Sequence, residues 1–572
     1  MAVREGKAPG IGQAPLPVPN AAALLRRNAS DPDIRGRPAI RFEDRVWTHA
    51  EYFVESCRWA NLFLDRRSDG PFHIGVVLDN LPQYLFTLGG AALSGSTIVG
   101  INHSRSGSAL AQDLAKTDCQ MLVYEPRHAE LLGSALHESE ISADNVLCLG
   151  DTLEPALASV SDDDPGTEPD VSTTWALIFT SGTSAAPKAV ITSQRRLLVT
   201  GSRMGSMLDL GPDDVGYVCM PLFHSNALMV GWAPSLVCGA SVGLARKFSA
   251  SGWLADVRQY GVTYWNYTGK PLAYLLAQPE QDDDADNTLR IAYGNEGAPA
   301  LVEAFSARFD VDVVDAFGAT EGGLAVTRGP DDPPGAMGKA GPGIAVVDED
   351  AKALPTAKFG PNGELLDAAG CVGEIVNTNG VGVFEGYYNN DEANARTTRN
   401  GWYWSGDLGY LDTDGYLYFA GRDAEWIRVD GENFPAGPID VTLARAPGVL
   451  AAAAYGVPDP EAGDQVMAAV VLRDAAAFDP GAFAAWLDQQ ADLAPKWRPR
   501  YLRVTDALPI SPTNKVLKRS LVTDKYRPDR VSDDKLWVRD RGAASYRPWA
   551  ADDAASIKAA LEATGRGRFW DL

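Results

Sequence analysis

The sequence predicts an α/β protein built from more than one domain. Its 572 residues exceed the usual domain length of about 100 to 200 residues. Short β-rich runs alternate with Ala- and Leu-rich segments of helical length, which is typical of parallel strands covered by helices. From about residue 335 the chain changes to short strands separated by turns rich in Gly, Asn and Asp, which indicates a smaller β-rich subdomain.

The predicted strands of the first part alternate with helical segments as far as residue 318. In chain order they are HIGVVL (73–78), STIVGI (96–101), QMLVYE (120–125), VLCLG (146–150), WALIFT (175–180), VGYVCMPLFH (215–224), VTYWNY (262–267), LRIAYGNEG (289–297) and VDVVDAFG (311–318). The β-rich part contains GEIVNT, VGVFEGYYNN and GYLYFAGR as short strands. After Arg422 come a helix (PAGPIDVTLARAPG), two strands (VLAAAAYGV, QVMAAVVL) and a second helix (DPGAFAAWLDQQA). This tail is long enough for a compact domain of its own.

The charge balance limits the classes of partner. Acidic side chains number 75 against 51 basic ones, for a formal net charge of -24. Such a surface repels a nucleic-acid backbone or an anionic membrane over most of its area. We therefore expect no nucleic-acid partner, and any anionic ligand must be bound by local amides and a few cations.

Cysteine usage and the amino terminus predict a reduced, cytoplasmic location. The six cysteines form no CxxC pair and no Cys-His cluster at metal-ligand spacing, and residues 1–20 lack the apolar core of a signal peptide. Two uncharged stretches, 84–103 and 226–245, approach the roughly 20 residues of a membrane span. Gly, Ser, Asn and Pro234 interrupt them, so we expect a helix, a turn and a buried strand in each. No transmembrane span is predicted, and peripheral membrane contact stays open.

The strand WALIFT runs into a loop suited to a polyphosphate, FTSGTSAAPK at residues 179–188. Its hydroxyl donors are Thr180, Ser181, Thr183 and Ser184, its glycine is Gly182, and its cation is Lys188. Hydroxyl and amide donors with one mobile ammonium group can bind phosphates without bulk positive potential. The loop is not a Walker motif, because Ala189 stands where a Ser or Thr would follow the lysine.

Three further motifs follow the loop in a recognisable order. They are DAFGATEGG (315–323), WYWSGDLGYLDTDGYLYFAGRDAEWIRVDGENF (402–434) and LPISPTNKVLKR (508–519). Together the four resemble the ATP-dependent adenylate-forming enzymes, which include acyl-CoA synthetases, peptide-synthetase adenylation domains and beetle luciferases. The resemblance covers nearly the whole chain. It implies a large multi-subdomain N-terminal adenylation domain, residues 1–422, and a small mobile C-terminal α+β domain, residues 423–572.

The resemblance also assigns ATP-binding roles. The loop from Thr180 to Lys188 would hold the β- and γ-phosphates of ATP, Phe317 would stack on adenine, and Thr320 would contact the α-phosphate. Glu321, with Thr180, would bind Mg²⁺, a cation that prefers oxygen ligands. The ribose hydroxyls would be held by Asp407 and Arg422. The remaining nucleotide contacts implied are Gly294, Asn295, Glu296, Asp315 and Gly318.

Lys515, in PTNK, carries the catalytic role that the resemblance implies. Negative charge builds on the α-phosphoryl oxygens as pyrophosphate leaves, and a positioned cation must meet it. We expect the neighbouring Lys518 and Arg519 to face solvent. In this family the small domain then rotates about a hinge, here Ala424, and admits the thiol of CoA along a tunnel that Gly431 would line.

Several segments resemble one branch of the family more than the rest. They are GINHSRSGSALAQDLAKTDCQMLVYE, MPLFHSNALMVGW, RKFSASGWLADVRQYGVTYWNY and KLWVRDRGAASYRPW. They are similar to very-long-chain acyl-CoA synthetases, or fatty acid transport proteins, and to actinobacterial relatives that activate steroid side-chain carboxylates. His224 would lie beside the acyl entrance, and the predicted apolar walls of the pocket are Leu222, Phe223, Trp232, Trp265 and Tyr267.

The sequence departs from the family pattern at three glycine positions, occupied here by Ala185, Ala189 and Asn514. Two further functions therefore stay open beside an ATP- and Mg²⁺-dependent acid:CoA ligase. One is an adenylating ligase of a natural-product pathway that uses a carrier protein as acceptor, or activates nitrite to diazotise an aryl amine. The other is a lipid-binding or uptake protein with a vestigial adenylation site. Oligomeric state is not predicted.

Overall fold

The computed structural model describes most of the chain. The described residues are 15–67, 70–103, 107–139, 141–180, 187–295, 297, 299–329, 331–333, 335–359, 365–366, 368–422, 426–429, 432–459, 463–490, 493, 495–510, 516–531, 534–563 and 570. Contacts divide the chain into two compact units. Unit 1 comprises Met1–Gly329 and Gly380–Tyr403, and unit 2 comprises Pro330–Asn379 and Trp404–Leu572.

The strands confirm the predicted α/β rhythm. Their bounds are β1 (Pro38–Phe42), β2 (Arg45–Thr48), β3 (His73–Val77), β4 (Thr97–Gly100), β5 (Cys119–Tyr124), β6 (Val146–Cys148), β7 (Thr174–Phe179), β8 (Ala189–Ser193), β9 (Val215–Val218), β10 (Ser241–Leu244), β11 (Tyr264–Thr268), β12 (Ile291–Asn295), β13 (Asp312–Gly318), β14 (Ala325–Thr327), β15 (Ala336–Lys339), β16 (Ile344–Val347), β17 (Lys358–Phe359), β18 (Leu365–Leu366), β19 (Gly373–Asn377), β20 (Tyr403–Leu411), β21 (Tyr416–Arg422), β22 (Trp426–Val429), β23 (Glu432–Pro435), β24 (Val449–Asp459), β25 (Gly463–Leu472), β26 (Tyr501–Val504), β27 (Lys535–Val538) and β28 (Arg547–Pro548).

Helices occupy the connections between these strands. Their bounds are α1 (Ala21–Ser30), α2 (His49–Arg66), α3 (Pro82–Ser94), α4 (Gly107–Lys116), α5 (Ala129–Glu138), α6 (Leu153–Ala158), α7 (Gln194–Met207), α8 (Ala233–Cys238), α9 (Trp253–Tyr260), α10 (Gly269–Leu276), α11 (Pro299–Phe309), α12 (Ala368–Cys371), α13 (Asp391–Thr397), α14 (Gly437–Ala444), α15 (Pro480–Asp488), α16 (Lys518–Asp524) and α17 (Ala551–Ala563). A π-helix over Asn226–Trp232 leads directly into α8.

Two sheets position the motifs of unit 1. The six-stranded sheet has the order β6-β5-β3-β4-β7-β8, and the eight-stranded sheet has the order β14-β13-β12-β11-β9-β10-β1-β2. The pairs from β9 to β13 are parallel, so the carboxyl ends of β11, β12 and β13 lie at one edge of the larger sheet. Ligand-binding loops in α/β folds gather at such an edge.

The uncharged stretch at residues 84–103 is core, as predicted. α3 begins with Pro82 at its first turn and ends at Gly95, which has φ +71°, a left-handed cap that glycine adopts readily. Almost every residue of α3 is buried, because α2 packs along it. The second uncharged stretch forms the π-helix, α8 and β10. Within the described ranges, every helix is too short or too polar to cross a bilayer.

Unit 2 contains the predicted β-rich part and the predicted tail. A five-stranded sheet has the order β15-β21-β20-β19-β16, and a second sheet runs β23-β22-β25-β26-β27-β28 with β24 paired to β25. One predicted strand is wrong. Residues 381–390 form turns with a single bridge between Val190 and Tyr387, and they belong to unit 1, because Gly386 and Tyr388 bond the backbone of β8.

Candidate functional site

The two ends of the predicted phosphate loop connect to a pair of neighbouring strands. β7 and β8 are antiparallel, with Phe179 opposite Ala189, and the Thr180 amide donates to the Lys188 carbonyl at 2.9 Å. Thr180 and Lys188 are therefore held side by side at the loop's base. Ser181, Gly182, Thr183, Ser184 and Ala185 lie outside the described residues.

Lys188 and Glu321 both contact one aromatic residue, Tyr387. The Lys188 ammonium nitrogen is 4.8 Å from the centre of the Tyr387 ring, and the Tyr387 hydroxyl donates to Glu321 Oε1 at 2.7 Å. Burial lowers the pKa of Lys188, while the charge of Glu321 acts to raise it. The structure thus brings together a cation and a carboxylate that the sequence separates by 133 positions.

Thr320, in the turn that follows β13, is also held by hydrogen bonds. The hydroxyls of Ser225 and Thr320 are 3.0 Å apart. From behind, the Arg196 guanidinium donates to the Thr320 carbonyl and, at 3.1 Å, to the Ile191 carbonyl. Arg196 is 3% exposed, and this burial lowers its pKa.

The side predicted to face adenine is built from β11, β12 and β13. Asp315 Oδ2 accepts hydrogen bonds from the Tyr267 hydroxyl at 2.7 Å and from the Gly297 amide at 2.8 Å. Burial, followed by the charge of Asp315, raises the pKa of Tyr267, so its hydroxyl stays a donor.

Gly294 lies directly opposite Tyr267. A β-carbon there would stand 2.4 Å from the Tyr267 carbonyl oxygen, so glycine is required. Asn295 follows it in β12, and Phe317 and Gly318 end β13. Glu296 lies outside the described residues.

The residues predicted to line the acid pocket fall in two packed clusters. Trp232 stacks on Trp175 with ring centres 5.7 Å apart and belongs to the core around α2 and α3. Trp265 packs 5.1 Å from Trp253, in a separate aromatic cluster that also includes Tyr267. Leu222 and Phe223 belong to the same core as Trp232, and all five predicted pocket residues are buried.

His224 lies two residues before the π-helix, and its ring centre is 4.4 Å from that of Phe223. The Asn226 amide of that helix donates to the Tyr267 carbonyl at 3.3 Å, and the Asn266 amide donates to Asn226 Oδ1 at 2.6 Å. π-Helical turns occur often at functional sites. This pair of half-buried Asn226 and buried Asn266 fixes the segment that follows His224.

Two histidines and an aspartate, His103, His128 and Asp79, form a cluster beside Phe223. His103 and His128 both approach Asp79 Oδ1, at 3.6 and 3.3 Å. Their rings are stacked 4.4 Å apart and 21° from parallel. Asp79 is also bound by Arg127 at 2.5 Å. The cluster supports Phe223 from behind, since His103 packs 5.3 Å from that ring.

The remaining motif residues lie in unit 2. Asp407 is 5% exposed and stands opposite Arg422 in the β20–β21 pairing; the Arg422 side chain lies outside the described part. Ala424, Gly431, Asn514 and Lys515 also lie outside it. Lys518 does not face solvent as predicted, because its ammonium group pairs with Asp440 at 2.5 Å and the side chain is 14% exposed.

Sequence reasoning missed three residues that organise the site, namely Arg196, Ser225 and Tyr387. None of them lies in the four ATP-binding motifs, although Ser225 falls within the segment MPLFHSNALMVGW. A polar residue next to a motif was the only available signal, as in Ser225 after PLFH. Their roles depend on partners 66 to 124 positions away.

Comparison with known proteins covers both units. The family model described as AMP-binding enzyme matches residues 26–388, and the model of the AMP-binding enzyme C-terminal domain matches residues 439–515. Steroid-22-oyl-CoA synthetase of Rhodococcus jostii (strain RHA1) is 43% identical over 541 residues, covering 93% of this chain and 96% of that protein. Medium/long-chain-fatty-acid–CoA ligase FadD17 of Mycobacterium tuberculosis is 46% identical over 497 residues, covering 86% and 94%.

Solved structures share the fold at lower identity. ATP-bound MatB from Rhodopseudomonas palustris superposes with a TM-score of 0.77 at 23% identity, over 88% of this chain and 98% of that one. The anthranilate CoA ligase AuaEII in complex with anthranoyl-AMP gives 0.76 at 21% identity, over 89% and 98%. The predicted fold class is confirmed.

Proposed function

This chain belongs to the family of AMP-binding enzymes, and on that premise we propose that it is an acid:CoA ligase for a fatty, very-long-chain or steroid side-chain carboxylate. The expected enzyme class, an ATP-dependent adenylate-forming ligase, is confirmed by the family match and the relatives. The choice of acid is supported by relatives at 43% and 46% identity that are named for a steroid-22-oyl group and for medium- and long-chain fatty acids.

One observation carries the proposal: Lys188 and the Thr320–Glu321 turn converge on Tyr387. An acidic chain with net charge -24 needs a local cation and local hydroxyls to bind a polyphosphate. Lys188, Thr180 and Thr320 supply them. In the described part of the chain, neither Lys188 nor Glu321 forms an ion pair, so both charges remain available to a ligand.

Mg²⁺ fits the donor set. Glu321 offers a carboxylate whose Oε1 accepts a hydrogen bond from Tyr387, and Thr180 offers a hydroxyl; these are the hard oxygen ligands that Mg²⁺ prefers beside phosphates. Bound there, the ion would neutralise phosphate charge as pyrophosphate leaves. Our assignment of Glu321 and Thr180 to Mg²⁺ is part of the proposal.

The reaction has two steps. A carboxylate oxygen attacks the α-phosphorus of ATP, the bond to pyrophosphate breaks, and Lys515 stabilises the charge on the α-phosphoryl oxygens. The thiol of CoA then attacks the acyl carbon and AMP leaves. We assign the ribose to Asp407 and Arg422, and the thiol tunnel to Gly431.

We place the functional boundary between the adenylation domain and the mobile domain after Arg422. We also propose a cytoplasmic location, which the six free cysteines support.

A pyrophosphate-release assay tests the proposal. Purified protein, ATP and Mg²⁺ are incubated with fatty, steroidal and aryl acids and with nitrite, each with and without CoA, and products are identified by mass. We expect pyrophosphate release that depends on a fatty or steroidal acid, and an acyl-CoA product when CoA is present.

Other outcomes would replace the proposal. An acyl-adenylate that CoA does not consume, or release driven by nitrite, would identify an adenylating ligase with a different acid or acceptor. Acid binding without pyrophosphate release would identify a lipid-binding protein.

A further inference from the structure

We propose that Tyr387 is a positioning residue that keeps Glu321 and Lys188 apart and separately oriented, so that one can bind Mg²⁺ and the other phosphate. This inference rests on the proposed function for the identity of the ligands. The contacts that support it are made by protein side chains alone and do not depend on the identity of any ligand.

The first contact is the hydrogen bond from the Tyr387 hydroxyl to Glu321. Tyr387 is 4% exposed. Its hydroxyl donates, at 2.7 Å, to Oε1 of Glu321. One carboxylate oxygen is fixed while the other keeps its lone pairs for a cation, which is how hydrogen-bonded carboxylates are oriented in metal sites.

The second contact is made by the face of the same ring. The Lys188 ammonium group lies 4.8 Å from the ring centre, within the range of a cation–π interaction. The charge of Glu321 acts on Lys188, yet the two side chains form no ion pair among the described residues. Without the ring, these opposite charges could close into a direct pair and would each lose a ligand-binding position.

Tyr387 is itself held rigidly. The Asn394 side chain accepts from the Tyr387 amide at 2.7 Å and donates to the Tyr387 carbonyl at 3.0 Å. Phe384 packs edge-on at 4.9 Å, and Val190 bridges the Tyr387 backbone. The ring is thus fixed to β8, two residues beyond Lys188.

Tyr388 provides a matched control. Its hydroxyl also donates to a carboxylate at 2.7 Å, that of Asp118, and the pKa of Tyr388 is raised to about 12 by burial and by that bond. Asp118 has no role in the proposed chemistry. Tyr388→Phe therefore removes the same kind of bond one residue away.

The test uses the full chain with Tyr387→Phe, Tyr387→Leu and Tyr388→Phe. Hydrogen exchange without ligand is measured on peptides covering 318–323, and ATP binding is followed by calorimetry across Mg²⁺ concentrations. We expect Tyr387→Phe to speed exchange in that turn and to raise the Mg²⁺ midpoint about tenfold, with metal-free ATP binding unchanged.

Tyr387→Leu should show both effects and also weaken metal-free ATP binding about threefold, because the ring beneath Lys188 is lost. Tyr388→Phe should match the wild type. Equal exchange in all four proteins would overturn the inference even if ATP did not bind. Equal Mg²⁺ midpoints in all of them would also overturn it. A wild type that fails to bind ATP contradicts the proposed function, and the exchange data still decide the role of Tyr387.

Discussion

Two neighbouring regions of unit 1 use aromatic residues in opposite ways. At the candidate site, Tyr387 contacts two charged groups: its hydroxyl donates to Glu321, and its ring face contacts the Lys188 ammonium group. In the aromatic cluster behind β11, Trp253, Trp265 and Phe305 contact one another with ring centres 5.1 to 5.7 Å apart. The first arrangement orients polar groups, and the second excludes water.

This difference predicts whether a substitution changes ligand binding and catalysis or the free energy of unfolding. Residues that orient charges contribute to ligand binding and catalysis, and removing them leaves the apolar core intact. Residues of the cluster contribute to the free energy of unfolding, since each buries a large apolar side chain. Three substitutions test this contrast, and they follow in order of decreasing expected effect.

Lys515→Ala should have the largest effect, on chemistry alone. We expect acyl-adenylate formation to fall about a thousandfold or more, because no other cation replaces the lost ammonium group. Thioester formation from supplied acyl-adenylate should be largely preserved, as measured by mass of the acyl-CoA product.

Lys518→Ala is the control for Lys515→Ala. It removes the pair with Asp440 and should alter thermal stability but not adenylation. An equal loss of both half-reactions in Lys515→Ala would contradict separate conformations for the two steps.

Trp265→Ala should act on folding. Trp265 is fully buried, and removing such a side chain costs about 3 to 5 kcal/mol of unfolding free energy, measurable by urea denaturation. Trp265→Phe retains a ring and serves as the comparison. If Trp265→Phe changes the preferred acid at nearly unchanged stability, the residue lines the acid pocket as the sequence predicted, and the contrast between the regions fails there.

Tyr267→Phe should have the smallest effect and belongs to both regions. Its ring packs 5.8 Å from Trp265, while its hydroxyl holds Asp315. Because only the hydroxyl is removed, we expect a KM for ATP raised about fivefold, corresponding to about 1 kcal/mol for one hydrogen bond, with little change in thermal stability. An unchanged KM would place Asp315 outside nucleotide binding.

Prediction from the sequence was accurate where the signal is local. The runs at 73–78, 120–125 and 175–180 fold as β3, β5 and β7, because short continuous apolar runs are typical of strands buried on both faces of a sheet. It was wrong for 381–390, where β-like composition and turn residues occur together. That segment joins β8 through backbone bonds that no local pattern encodes.

The candidate site, too, was predictable from the sequence only in part. The motifs placed Lys188, Thr320 and Glu321 in one function through resemblance, and the structure brings Lys188 and Glu321 to one ring. The assignments of Trp232 and Trp265 to an acid pocket stay predictions. Aromatic residues in strands look alike from sequence whether they face a ligand or other rings.

The strand and helix pattern, the acidic character that requires local anion binding, and the motif order that marks the family can all be read from the amino-acid sequence. The contacts of Tyr387 with Lys188 and Glu321 become visible only in the folded chain. Strand and helix signals act over a few residues, whereas the bond from Tyr387 to Glu321 spans 66 positions and requires β8 and β13 to be folded.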